Sequence, residues 1–130
     1  MNHASRPTAH LQQPLNADLW VICLCAQWCH ICRQMHAALA DDHRLPSMAR
    51  WLWVDIEEHA DQLGALEVET FPTYLIGRRD EVLLYAPGPT QPEAIVSFLM
   101  PYATGRIAPV QASPLVQQAL AALSVHSTQR

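Results

Sequence analysis

The chain has 130 residues, of which half are hydrophobic and 15% charged, with a formal charge of −4 at pH 7. That length suits one domain with a packed core. The acidic balance argues against a nucleic-acid partner, because the eight basic residues are scattered and only Arg78 and Arg79 are adjacent. No stretch reaches the roughly 18 apolar residues of a membrane span, so no membrane partner is expected. The first sixteen residues are polar and rich in His, Gln and Pro, without the charged start and long apolar region of a secretory signal. The expected setting is therefore cytoplasmic, where thiols stay reduced. Four cysteines there point to redox catalysis or metal binding before a disulfide framework.

In chain order, residues 1–14 read as a disordered tail, 15–102 as one domain, and 103–130 as a linker with a C-terminal helix. Asp18 to Ala26 is a nearly unbroken apolar run, expected as a strand buried on both faces. After Gln27 and Trp28, a helix is expected from Cys29 to about Ala40, with Met35, Ala38 and Leu39 inward and Asp41-Asp42-His43 and Pro46 ending it. Trp51–Ile56 reads as a second buried strand and Glu57–Leu66 as a short helix with an acidic start. Tyr74–Ile76 and Glu81–Tyr85 form a hairpin about a turn at Gly77-Arg78-Arg79-Asp80. Thr90-Gln91-Pro92-Glu93 has the form of a capping box opening a helix with Ile95, Phe98 and Leu99 inward, closed by Pro101. Ser113-Pro114 opens a last helix with Leu115, Ala119, Leu120 and Leu123 along one side. Alternation followed by a hairpin implies an α/β layered fold: a mixed parallel and antiparallel sheet of four to five strands, flanked by helices, with an extra C-terminal helix.

Chemistry concentrates in Trp28-Cys29-His30-Ile31-Cys32, where a strand hands over to a helix. A cysteine at a helix N-terminus meets free N–H groups and the positive end of the dipole, which favour the thiolate that attacks disulfides. Cys32, three residues on, lies on the same side of the helix and deeper, placed to expel a mixed disulfide. The expected catalytic pair is Cys29 as nucleophile and Cys32 as resolving thiol.

Ala26-Gln27-Trp28-Cys29-His30-Ile31-Cys32 resembles the active-site segment of the thioredoxin family, and Phe71-Pro72-Thr73, with Pro72 lying 40 residues past Cys32, resembles its cis-proline loop. Val54-Asp55-Ile56 and the Gly88 break also match the family layout, so the likeness spans roughly residues 17–100. The resemblance implies a thioredoxin-like fold, a cis Pro72 facing the cysteines, and a substrate strand pairing with Phe71. Trp28, His30, Ile31, Phe71 and Pro72 would then contact the substrate, Trp28 as a lid. It further implies protein disulfide substrates, an unidentified reductase or thiol reductant as partner, and no cofactor. Several positions depart from the pattern. Cys23 stands where the family carries a buried acid, Trp53 where a Lys is common, His30-Ile31 between the cysteines, and Ala37 where a proline kinks the helix. With the acid gone, His36 is the candidate proton carrier for Cys32, four residues on along the same helix face. The plain alternative is a surface or core-edge histidine.

Cys23 and Cys25 alternate to one face of their strand. They read as small buried hydrophobes, with an extra redox thiol that pairs with Cys32 as the alternative. The four cysteines, with His30 and His36 near, also allow a Zn or Cu(I) carrier, against which stands the buried position of the first pair. The C-terminal helix is expected to pack on its own domain or to pair two copies as a homodimer. The function expected is thiol–disulfide exchange on proteins in the reductive direction. A thioredoxin-like binding scaffold with incidental thiols is the alternative, and the metal carrier a further one.

Overall fold

The computed structural model describes residues 18–105 and 107–128, so the tail assigned to residues 1–14 lies outside the described residues. β1 (Leu19–Cys25) is buried at every position, and it is flanked on both sides, by β2 (Arg50–Asp55) in parallel and by β3 (Thr73–Arg78) in antiparallel. β4 (Glu81–Pro87) pairs antiparallel with β3, giving the order β2-β1-β3-β4 among the described residues. A strand with ladders on both edges and helices on both faces has no wet side, which is why its sequence does not alternate.

The period of two sorts β1 between two cores. Leu19, Val21, Cys23 and Cys25 face one layer with α1 (His30–Leu39), α2 (Arg44–Met48) and α4 (Pro92–Ala103). Trp20, Ile22 and Leu24 face the other, built from α3 (Ala60–Leu63) and α5 (Pro114–Thr128).

α5 packs on its own sheet. Val116, Ala119, Leu120 and Leu123 are buried there, whereas Leu115, expected inward, is 38% exposed. The stripe is rotated by one residue because Val116, Ala119, Leu120 and Leu123 recur at the three- and four-residue spacing of one helical face. Gly77 permits the contact: a Cβ there would lie 2.6 Å from Leu120 Cδ2. Gly77 and Arg78 accordingly belong to β3, and the hairpin turn narrows to Arg79-Asp80, with Arg79 in the left-handed region at φ 59°. The Arg79 N–H donates to the Asp18 carbonyl at 2.9 Å, which ties this turn to the start of β1.

Four more expectations need correction. The helix before β2 does not simply end: Asp42 accepts the Arg44 N–H at 2.9 Å and the short α2 follows, with Pro46 inside its first turn, where a missing N–H costs little. The capping box does not form. Gln91 is the N-cap of α4 without a side-chain bond, and the Glu93 carboxylate accepts from Arg44 Nη1 at 3.0 Å instead. Nor does Pro101 close α4, which runs to Ala103, because the last turn is held by the Thr104 N–H on the Met100 carbonyl and by Arg78 Nη2 on the Tyr102 carbonyl. Gly105, at φ 77°, ends it in the conformation glycine adopts freely. Finally, Ala38 of α1 is exposed, and the inward face is Cys32, Met35 and Leu39.

Candidate active site

The site forms where β1, β2 and α1 meet. β1 ends at Cys25, and the Ile56 N–H donates to its carbonyl at 2.9 Å, so the ends of both parallel strands are level. The chain then turns: the Cys29 N–H bonds the Ala26 carbonyl at 3.0 Å, and the Cys29 carbonyl accepts the Arg33 N–H at 3.1 Å as the first helical bond. Cys29 is thus the N-cap of α1, extended at φ −83° and ψ 120°, and its side chain caps nothing. It is a free thiol, partly exposed.

Asp55 fixes this turn from the end of β2. Its Oδ2 accepts the Gln27 N–H at 2.7 Å, and its Oδ1 accepts the Glu57 and Glu58 N–H groups at 2.8 and 3.2 Å. Desolvation opposes ionisation of Asp55, but the three donors outweigh it and hold the carboxyl below the usual carboxylate range. Arg33 adds a second tie, its Nη1 donating to the Gln27 carbonyl at 2.9 Å. Sequence reading assigned neither residue a role in the site. Asp55 enters the sequence reading only within Val54-Asp55-Ile56, as part of the family layout.

On the outer side, Trp28 is 60% exposed, its Nε1 donates to Glu57 Oε2 at 3.3 Å, and its ring meets Phe71 edge-on at 5.3 Å. The Phe71–Pro72 peptide is cis, and the Thr73 hydroxyl donates to the Thr70 carbonyl just beside it. Ile31 is 48% exposed, and His30 is exposed too. The structure therefore brings Trp28 against Phe71 at the start of α1, with Ile31 and His30 on the exposed first turn of the same helix.

On the inner side, the structure differs from the expected pairing. Cys32, 4% exposed, is disulfide-bonded to Cys25, 7% exposed, with their Cα atoms 5.9 Å apart, and Cys29 is left as a thiol. This span falls within the roughly 4.4–6.8 Å that a disulfide bridges. The register allows it: Cys25 is the last residue of β1 and Cys32 the first inward residue of α1. Cys23 Sγ lies 3.8 Å from Cys25 Sγ; with Cys25 oxidised, the Cys23 S–H is the donor. Burial pushes the Cys23 thiol far up, which keeps it protonated and unreactive.

His36 is exposed and stacks edge-on against Trp53 at 4.7 Å between ring centres. It shares with Cys25, Cys32, Trp53 and Asp55 the lining of one open cavity of about 450 Å³. Trp53 is the register partner of Cys23 on β2, and Trp51, two residues back, stacks on both Trp53 and Tyr74. The positions where the resemblance places an acid and a lysine are here a thiol and an indole. Among the described residues, no three His, Cys, Asp or Glu side chains converge to hold a metal, and no helix is long and apolar enough to cross a membrane.

Comparison with known proteins agrees with this architecture. Among solved structures, the oxidised thioredoxin of Plasmodium falciparum superposes with a TM-score of 0.54 at 15% identity, covering 78% of this chain and 93% of its own. A mutant thioredoxin from Halobacterium salinarum gives 0.52 at 20% identity, covering 75% and 80%. The zinc-bound form of human ERp44 gives 0.54 at 15% identity, but this chain spans only 31% of that protein. At such identities the likeness is one of fold. No curated protein matches the chain. The thioredoxin family model matches residues 4–100, which is most of the chain. With a mixed four-stranded sheet flanked by helices, and disulfide-capable cysteines at the junction of strand and helix, the chain belongs to the thioredoxin family and is built for thiol–disulfide chemistry in general.

Proposed function

We propose that the protein exchanges disulfides with protein substrates through Cys29 and Cys32, in the reductive direction and in a cytoplasmic setting. The observation that carries this reading is Cys29, a free thiol at the N-cap of α1, next to the exposed Trp28 that meets the half-buried Phe71, and one turn above Cys32. The Cys29 thiolate attacks a substrate disulfide, forming a mixed disulfide and releasing one substrate thiolate. Cys32 then attacks Cys29 Sγ, the second substrate thiolate leaves, and the enzyme departs with a Cys29–Cys32 disulfide. The proton of Cys32 passes to His36, which lines the same cavity. Trp28, His30, Ile31, Phe71 and Pro72 form the face that receives the substrate strand. A reductase or small thiol returns the enzyme to its reduced form.

The experiment is trapping. Cys32→Ser should accumulate mixed disulfides between Cys29 and client proteins, released by dithiothreitol, and Cys29→Ser should trap none. A clean non-reducing gel with Cys32→Ser overturns the reading. The scaffold reading has its own support: with Cys32 bonded to Cys25, Cys29 has no resolving partner. It predicts that clients bind Cys29→Ser as tightly as the wild type.

A further inference from the structure

The four cysteines form a chain of sulfurs that runs inward from the helix start. Cys29 is partly exposed; Cys32, one turn deeper, is bonded to Cys25; Cys23 touches Cys25 at 3.8 Å. We propose that oxidation received at Cys29–Cys32 is passed inward to a Cys25–Cys32 disulfide, which restores Cys29 as a free thiol. This rests on the exchange reading above and deepens it by naming where the oxidising equivalents come to rest.

The step is an internal isomerisation. The Cys25 thiolate attacks Cys32 Sγ, the Cys25–Cys32 bond forms, and the Cys29–Cys32 bond breaks with its electron pair left on Cys29 Sγ. The proton lost by Cys25 is regained at Cys29. One disulfide and one thiol enter the step and one of each leaves it, so no outside oxidant is consumed. The geometry favours the inner bond in three ways. The Cα separation of 5.9 Å needs no backbone movement to hold it. Cys25 and Cys32 are nearly fully buried in the core layer beneath α1, where an uncharged disulfide is favoured over a thiolate, while the leaving sulfur sits where water can hydrate its charge. Cys23 is too buried to compete as nucleophile but is placed to donate its S–H to Cys25.

In the inner-disulfide state Cys29 still attacks disulfides, yet nothing resolves the product. Clients are therefore held until a reductant reopens Cys25–Cys32. Oxidation of the inner pair converts an exchange enzyme into one that retains its clients.

The test oxidises the reduced full-length protein with glutathione disulfide, quenches aliquots in acid, and blocks free thiols with N-ethylmaleimide. Chymotrypsin then cuts after Leu24 and Trp28, which separates Cys25 from Cys29 and Cys32 for mass spectrometry. Cys29–Cys32 should appear first and decay into Cys25–Cys32, with Cys29 alkylated at the end point. The expected ratio is at least tenfold for the inner pair, which corresponds to about 30 mV for a two-electron couple. In Cys25→Ala, Cys29 should stay protected by Cys32. In Cys29→Ser, Cys25–Cys32 should form at least tenfold more slowly. A wild-type end point of Cys29–Cys32, or equal rates in Cys29→Ser, overturns the relay. The two readings fail separately. Clients trapped by Cys32→Ser with no inner disulfide sink the relay alone; an inner disulfide without trapped clients sinks the exchange reading alone.

Discussion

Replacing Asp55 with alanine removes three hydrogen bonds at once, one from Gln27 in the turn that carries Cys29 and two from Glu57 and Glu58 in the turn that follows β2. A hydrogen bond to a charged acceptor contributes roughly 1.5–3 kcal/mol where shielded, and water replaces part of it at a half-buried site, so a net loss of about 2 kcal/mol is expected. For a domain of this size each kcal/mol lowers Tm by about 4 °C, which gives a fall of roughly 8 °C at pH 7. The carboxyl is held below its ordinary range in the folded protein, so its stabilisation is fully present above the unfolded value near 3.9 and fades as pH falls through the folded value. Thermal scans of wild type and Asp55→Ala should therefore differ at pH 7 and draw together as the pH falls through the lowered folded value. The N-ethylmaleimide rate at Cys29 should change as well, because Gln27 lies two residues before it. A gap that persists undiminished in acid, or a fall of less than about 2 °C at pH 7, would refute the assignment of Asp55 as the anchor of the turn.

Other perturbations separate packing from chemistry. Leu120→Ala should cost about 2–5 kcal/mol in urea unfolding, since that side chain is buried between α5 and Gly77. Tyr74→Phe removes the hydroxyl that donates to the Pro89 carbonyl at 2.8 Å and should lower stability by about 1 kcal/mol, with no effect on Cys29 alkylation. Trp28→Ala, at an exposed position, should shift stability by less than about 0.5 kcal/mol while weakening client capture in a Cys32→Ser background. His36→Ala should slow the resolving step near neutral pH and flatten its pH–rate profile; an unchanged profile removes His36 from proton transfer.

Sequence reading reached the fold where a local signal was strong. β1 is an apolar run with no polar interruption, and the Trp-Cys-His-Ile-Cys segment lies where that strand hands over to a helix, which gives Cys29 a helix start. It failed where the outcome depended on partners distant in the chain. Glu93 looked like half of a capping box, but Arg44, 49 residues away, holds its carboxylate. Gly77 looked like a turn residue, whereas its missing side chain makes room for Leu120 of α5. Pro101 looked like a stop, and the end of α4 is instead secured from β3 by Arg78. The same limit applies to the site. Cys29 and Cys32 are paired by spacing alone, but the end of β1 lies beneath the first turn of α1, which places Cys25 within reach of Cys32. Spacing does not report that distance, and the pairing of Cys25 with Cys32 was visible only as one of several options for a strand cysteine.

Insulin reduction by dithiothreitol, with metal content determined on the same preparation, bears most directly on the exchange chemistry assigned to Cys29. Catalytic amounts of the reduced wild-type protein should hasten precipitation of the insulin B chain, and Cys29→Ser should fall to the rate of dithiothreitol alone. Equal rates for the wild type and Cys29→Ser would contradict a nucleophilic role for this thiol.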